Sequence, residues 1–172
     1  ESGLLFKKDS TNLWSFPLAQ IVTNINLQHQ EWVYPKTLAE ICKQKVGFLS
    51  ENTNIYTGRQ KLKTLKIIKN ILKKNSSNKE FYGAWKIQKI NNKRYYTDKK
   101  IRIILKSKYI FSDGLWDNVG LAIKVALDLG IKPKIIQKTI PKIKFEGRVN
   151  YIKGKLTKNL KSTKILIDGC HS

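Results

Sequence analysis

The sequence predicts an α/β fold, in which strands alternate with amphipathic helices. A short apolar, β-branched run at residues 21–25 is typical of a buried strand. Thr37 and Glu40 then form a capping box, the pattern that starts a helix. Apolar residues recur at helical spacing over residues 60–74, and over residues 80–111 the period changes to two, as in strands.

The first predicted strand and helix place two polar side chains where a ligand could bind. His29 follows the end of the strand, and Lys45 lies on the helix that begins after Pro35. This helix carries an apolar stripe at spacings of three and four, formed by Leu38, Ile41 and Cys42. Because ligands bind at the tips of strands in open α/β sheets, His29 and Lys45 are candidate site residues.

The middle of the chain is expected to continue as a strand, a helix and a hairpin. Residues 55–58 predict a short strand that ends in a glycine turn. Asn91-Asn92-Lys93 predicts a hairpin turn, and residues 101–105 alternate as in a further strand. The helix predicted over residues 60–74 has one apolar face, formed by Leu62, Leu65, Ile68 and Leu72.

The last third of the chain is predicted to form two helices and a strand. Residues 112–114 are expected to form a turn, and a helix over residues 118–129 ends at Gly130. A second helix is expected over residues 134–140. An apolar strand over residues 165–167 then delivers polar residues at its carboxyl end, which is a ligand-site layout.

Length and composition indicate about one domain with enough apolar residues, 41%, to bury a core. Trp14 and Phe16 are expected to be core residues. Cys42 and Cys170 do not make a disulfide framework, so the expected setting is reduced and cytoplasmic. The sequence has no run of apolar residues long enough to span a membrane and no signal-peptide pattern at its start.

The net charge of +22 raises the question of nucleic-acid binding. The basic residues are almost all lysines scattered over every segment, so we expect solvated lysines and no specific nucleic-acid partner. Weak polyanion binding and a preference for anionic ligands would still follow. A lysine-rich nucleic-acid-binding module, using an aromatic and basic sheet face, is the alternative. Only four residues are arginines: Arg59, Arg94, Arg102 and Arg148.

The segment over residues 21–49 resembles the signature of the folylpolyglutamate synthase / dihydrofolate synthase family, a branch of the Mur-type ATP-dependent amide ligases. Its pattern is roughly V-T-N-I-x-x-D-H-x-x-x-L-G-x-T-x-x-x-I-A-x-E-K-A-G-I. With one extra residue between His29 and Thr37, the matching positions are Val22, Thr23, Asn24, Ile25, His29, Thr37, Leu38, Glu40, Ile41, Lys45 and Gly47.

Further motifs of this family occur in order along the chain. The start resembles E-x-G-L-G-G-R-x-D-A-T-N, although Leu5, Phe6 and Lys7 replace the family's Gly-Gly-Arg. Residues 145–148 resemble W-P-G-R, and residues 168–172 resemble D-G-A-H-N-P. The family's N-x-x-L-A pattern is matched by Asn118, Leu121 and Ala122.

The resemblance implies metal-binding and catalytic roles for four residues. Glu1 and His29 would hold Mg²⁺, although histidine is an unusual ligand for this ion. Lys45 would be a carbamylated lysine, and His171 would lie beside the acyl phosphate.

The resemblance also implies ATP as cofactor, held by three residues. Asn118 would face the adenine, Arg148 would meet phosphate, and Asp168 would accept hydrogen bonds from the ribose hydroxyls.

The fold implied is a central Mur-ligase-type, P-loop-NTPase-like domain that lacks its first strand and phosphate loop, because no G-x-x-G-K-[ST] sequence occurs. Residues 1–147 would form its later part, including a hairpin insertion. Residues 148–172 would form the hinge and the first strand of a C-terminal Rossmann-like domain.

The activity implied is that of a monomeric ATP-dependent carbon–nitrogen ligase that adds glutamate to folate or dihydropteroate through an acyl phosphate. We expect the chain to be a fragment or degenerate member that is inactive alone. A noncatalytic remnant acting as a partner subunit is a further alternative.

Overall fold

The computed structural model describes residues 14–28, 30, 33–145, 150–152 and 165–169. Its first unit is a three-stranded parallel sheet with two crossover helices. The parallel strands confirm the α/β class predicted from the sequence. In chain order the elements are β1 (Gln20–Val22), α1 (Leu38–Val46), β2 (Asn54–Thr57), α2 (Leu62–Ile71) and β3 (Asn78–Phe81).

Strand β2 lies at the centre of this sheet, paired with β1 on one side and β3 on the other. The two crossover helices bury their apolar stripes against it. Thr37 caps α1 as predicted, because its side chain accepts a hydrogen bond from the Glu40 backbone N–H at 3.2 Å. The core of this unit includes Val22, Ile41, Cys42, Val46, Ile55, Ile68 and Leu72.

A three-stranded antiparallel sheet follows, formed by β4 (Trp85–Ile90), β5 (Lys93–Asp98) and β6 (Arg102–Leu105). Asn91 and Asn92 connect β4 to β5 with positive φ angles of 48° and 59°. These angles suit a tight hairpin turn, and asparagine tolerates them better than most residues. The hairpin predicted from this dipeptide is therefore confirmed.

The antiparallel sheet packs on helix α3 (Asp113–Asp128), and α4 (Pro133–Thr139) follows. The shared core contains Tyr56, Trp85, Tyr96, Ile103, Leu105, Trp116, Val119, Leu121 and Ile123. Two short 3₁₀ segments, Leu72–Lys74 and Ile140–Lys142, extend α2 and α4. Strands β7 (Asn150–Ile152) and β8 (Ile165–Ile167) pair antiparallel, so the predicted strand at residues 165–167 is present.

Helix α3 begins five residues earlier than predicted, and the turn expected at residues 112–114 is its first turn. Ser112 is the N-cap, and its hydroxyl accepts a hydrogen bond from the Leu115 backbone N–H at 3.2 Å. The Trp116 indole N–H also donates to the Ile110 carbonyl at 3.1 Å. The helix ends as predicted, with Gly130 at a φ of 85°.

Two other expectations from the sequence were wrong, and one strand was missed. Trp14 and Phe16 were expected in the core, but their side chains are 74% and 89% exposed. Leu62 is 80% exposed because it occupies the first position of α2, where the buried face has not yet begun. Strand β3 was not predicted, because the alternation that marks a half-buried strand is missing from its mostly polar sequence.

No helix in these described ranges is long and apolar enough to cross a membrane.

Candidate functional site

The loops that follow β1 and β2 are tied together at the carboxyl edge of the parallel sheet. The Asn24 side-chain amide donates to the Arg59 carbonyl at 2.8 Å. The Gln60 side chain donates to the Thr23 carbonyl at 2.8 Å and accepts from the Ile25 backbone N–H at 2.9 Å. These bonds give fixed positions to the polar residues after the strands, which is the edge where open α/β sheets bind ligands.

Helix α3 meets this edge through its second turn. The Arg59 guanidinium lies 3.8 Å from the Asp117 carboxylate, and it also lies over the Tyr82 ring, 5.8 Å from the ring centre. Burial raises the pKa of Asp117, Arg59 opposes that rise, and the negative charge of Asp113 adds to it. The ion pair joins the start of α3 to the loop after β2, and Asn118 is the next residue of the helix.

An apolar groove of about 430 Å³ lies between α3 and α4, with the Asn118 side chain in its lining. Apart from Asn118 and Thr139, its lining residues are apolar: Val119, Ala122, Ile123, Ala126, Ile131, Ile135, Ile136, Ile140, Ile143 and Phe145. A flat aromatic ring suits such a surface. The carboxamide of Asn118 carries both donors and an acceptor, so it can recognise the polar edge of that ring.

The described structure contains three of the seven residues that the sequence singled out. Asn118 lines the apolar groove, Lys45 is half-buried in the last turn of α1, and Asp168 is exposed just after β8. The other four lie outside the described residues: Glu1, His29, Arg148 and His171. The roles proposed for all seven therefore stay predictions.

The predicted metal site falls on two residues outside the described ranges, Glu1 and His29. Within those ranges, no group of three or more His, Cys, Asp or Glu side chains could hold a metal ion. Of the two predicted ligands, only Glu1 offers the oxygen donor that Mg²⁺ prefers. We therefore assign no chemical step to the ion.

A second polar cluster lies where α3 ends, and no sequence motif predicted it. The Tyr56 hydroxyl donates to the Asp128 carboxylate at 3.0 Å, and Lys124 lies 3.1 Å from Asp128 and 3.8 Å from Glu80. Burial, followed by the bond to Asp128, raises the pKa of Tyr56 to about 12. Because Tyr56 and Asp128 are 72 residues apart, no local pattern could have paired them.

Comparison with known proteins identifies solved structures that share the fold of this chain. No family model matches the sequence, and no curated protein matches it either. Solved structures do match over nearly the whole chain. A mutant FPGS from Lactobacillus casei superimposes with a TM-score of 0.77 at 21% identity, over 99% of this chain and 42% of that one.

Two further structures agree. A folylpolyglutamate synthase from Thermotoga maritima gives a TM-score of 0.72 at 21% identity, and E. coli FolC in complex with DHPP and ADP gives 0.75 at 17% identity. Each match covers 99% of this chain and 38% of the other. The chain thus spans about two fifths of the length of the structures it resembles, and the predicted resemblance is confirmed as a shared fold.

Proposed function

We propose that this chain is part of an ATP-dependent carbon–nitrogen ligase of the folylpolyglutamate synthase type. Such an enzyme adds glutamate to folate or dihydropteroate through an acyl phosphate. The observation that carries the proposal is the apolar groove between α3 and α4, with Asn118 in its lining. Two of the similar proteins were solved with adenine nucleotides, one with AMPPCP and folate and one with ADP and DHPP.

In this proposal the groove holds the adenine of ATP. The apolar side chains of α3 and α4 pack on the ring, and the Asn118 carboxamide pairs with an acceptor and a donor on the ring edge. Asp168 binds the ribose hydroxyls, and Arg148 pairs with phosphate as a fixed cationic fork.

The remaining proposed roles concern the transferred phosphate. An acyl phosphate forms when the γ-phosphate of ATP moves to the substrate carboxylate, and the amine of glutamate then displaces phosphate. His171 lies beside the acyl phosphate, and the carbamylated Lys45 supplies a negative charge. Glu1 and His29 would hold Mg²⁺, and such an ion, when bound, would supply positive charge near the phosphates.

The proposed domain division places the parallel sheet, the antiparallel sheet and helices α1–α4 in residues 1–147, the later part of the ATP-binding domain. Residues 148–172, with β7 and β8, would form the hinge and the first strand of the C-terminal domain.

A noncatalytic remnant that assembles with a second chain would share this division. Co-purification with a chain that carries a phosphate loop would distinguish that alternative.

We expect the 172-residue chain not to turn over ATP with folate and glutamate. The sequence has no G-x-x-G-K-[ST] loop, so the β- and γ-phosphates would lack the backbone N–H groups that cradle them. The measurement is phosphate release by the purified chain, with a full-length enzyme of this type as positive control. Robust release would refute this prediction.

Nucleotide binding tests the groove directly. Titration with ATP should shift the backbone amide signals of Ala122 and Ile136, and GTP should bind more weakly because its ring edge has a different donor and acceptor pattern. Asn118→Ala should weaken ATP binding by about tenfold, the loss of one or two hydrogen bonds. The matched control is Asn70→Ala on the exposed side of α2. Equal binding of ATP and GTP, or equal effects of the two substitutions, would contradict the proposal.

A further inference from the structure

The antiparallel sheet has two unlike faces. Trp85, Tyr96 and Ile103 point towards α3 and belong to the core. Because successive side chains of a strand alternate, their neighbours point the other way. None of the eight residues on that second face is buried as a whole, although the Thr97 hydroxyl oxygen is covered, so most of the face is accessible. The eight residues are Lys86, Gln88, Ile90, Lys93, Tyr95, Thr97, Arg102 and Ile104.

This second face carries only positive charge. Lys86, Lys93 and Arg102 are exposed on it, and Lys106 follows directly after β6. No aspartate or glutamate is among its eight residues. The cations lie at both ends of the sheet. At one end Lys86 and Arg102 lie on either side of Thr97, and at the other end Lys93 lies opposite Ile90. A uniformly cationic sheet face favours an extended polyanion.

An aromatic side chain lies in the middle of the face. The Arg102 guanidinium carbon is 4.1 Å from the centre of the Tyr95 ring, the shortest such cation–ring distance in the described chain. Tyr95 lies between Gln88 and Ile104 in the central cross-strand row. A planar guanidinium on an aromatic ring is a surface on which nucleobases stack.

A groove of about 710 Å³ adjoins the face at β6 and shares Lys93 and Ile104 with it, and Lys106 also lines the groove. Lys108 and the half-exposed Phe111 extend its lining, and no carboxylate lines it. The groove therefore combines cations at its rim with apolar and aromatic surface. Single-stranded nucleic acid has this same combination, because its charged backbone carries bases with apolar faces.

We propose that this face and the adjoining groove bind single-stranded nucleic acid without sequence preference. The phosphates lie along Lys86, Lys93 and Lys106, and bases stack on the Arg102–Tyr95 pair. Sequence preference is absent because lysine is a point charge that lacks the fork needed to read base edges. An acidic polymer without rings, such as poly-γ-glutamate, would use the cations alone. This activity does not depend on the proposed ligase function.

The first test is charge removal, measured by the fluorescence anisotropy of a labelled single-stranded oligonucleotide of about 12 residues, within the usual site size. Replacing Lys86, Lys93 and Lys106 by glutamine should weaken binding and lower the slope of log affinity against log salt by about 2. The control carries Lys63→Gln, Lys66→Gln and Lys73→Gln, with the same change of charge at exposed positions around α2. Equal loss in both variants would overturn the proposal.

The second test separates stacking from charge. The unmodified chain should bind the oligonucleotide about tenfold more tightly than an abasic oligonucleotide of the same length, and Tyr95→Leu should abolish that preference. Arg102→Lys keeps the charge but loses the planar group, so it should reduce the preference even if Tyr95→Leu does not fold. The proposal fails if abasic oligonucleotide or poly-γ-glutamate binds as tightly as the oligonucleotide with bases.

Discussion

Tyr56 and Tyr96 are buried, and the hydroxyl of each donates a hydrogen bond to a carboxylate. Tyr56 donates to Asp128 at 3.0 Å, and Tyr96 donates to Asp98 at 2.9 Å. Burial is the largest cause of the raised pKa of both tyrosines, and the carboxylates add to it. Each hydroxyl is thereby held protonated well above neutral pH, so it remains a hydrogen-bond donor.

Tyr56→Phe should lower the free energy of unfolding by about 1–2 kcal/mol at pH 8, because it removes a partly buried bond to a carboxylate. The pKa of Tyr56 is raised from 10.0 to about 12, so its contribution is complete below pH 10 and is lost as the pH rises from 10 to 12. Urea unfolding of Tyr56→Phe should therefore show a smaller fall in stability over that pH window.

The matched control for this substitution is Tyr34→Phe, since Tyr34 is 90% exposed. Tyr34→Phe should leave the free energy of unfolding at pH 8 unchanged. It should also keep the full decrease in that free energy between pH 10 and 12. If both variants behave alike, the bond from Tyr56 to Asp128 contributes nothing to stability.

Site residues could be predicted from the sequence where they belong to a motif. They could not be predicted where only the fold brings distant residues together. Asn118 came from a motif match, and it lines the apolar groove between α3 and α4. The Tyr56–Asp128 bond and the Arg102–Tyr95 contact depend on strand register and helix packing. Neither can be read from local periodicity, because each joins separate elements.

Helix α3 connects the two sheets, since it packs on β4 and also contacts β2. Its close approach to the antiparallel sheet depends on Gly120, which is buried in the middle of the helix. A Cβ atom added there would lie 2.6 Å from a side-chain carbon of Ile87 and 2.7 Å from the Trp85 ring. Trp85 is fully buried, so the ring has no free space into which to move.

Gly120→Ala should destabilise the chain by about 1–2 kcal/mol, because overpacking outweighs the gain of about 1 kcal/mol in helix propensity. The matched control is Gly114→Ala in the first turn of the same helix, where an added Cβ meets nothing within 4 Å. That substitution should be neutral or stabilising by up to about 1 kcal/mol. Urea unfolding midpoints measure both, and a Gly120→Ala variant as stable as Gly114→Ala would show that the helix can shift.

Elements with strong local signals were predicted well, and elements held by tertiary pairing were not. The capping residue of α1, the asparagine hairpin and the glycine end of α3 were all confirmed. Strand β3 has the sequence Asn78–Phe81 and forms because its backbone pairs in parallel with β2. The early start of α3 likewise depends on the Ser112 cap. This cap was not predicted, because Gly114, two residues later, indicated a turn.

At the scale of the whole molecule, two surfaces suit different ligands. The apolar groove between α3 and α4, with Asn118 in its lining, suits the adenine of the proposed nucleotide. The cationic face of the antiparallel sheet suits an extended polyanion. Asn118 lines neither the cationic face nor its adjoining groove, and Lys86, Lys93 and Lys106 do not line the groove between α3 and α4. Asn118→Ala and the variant with these three lysines replaced should therefore each impair one kind of binding and leave the other intact.

The net charge of +22, from 34 basic and 12 acidic residues, should make stability depend on salt. Like charges on the folded surface repel one another, and salt screens that repulsion over about 10 Å at 0.1 M. Raising NaCl from about 0.02 M to about 0.5 M should therefore raise the Tm, by about 3 °C for each 1 kcal/mol of repulsion removed. A variant with Lys63→Glu, Lys66→Glu and Lys73→Glu should have a higher Tm at low salt and a smaller response, and Glu51→Lys should have the opposite effects. A Tm that falls with salt, or that moves equally in these variants, would show that charge repulsion does not limit the stability of this fold.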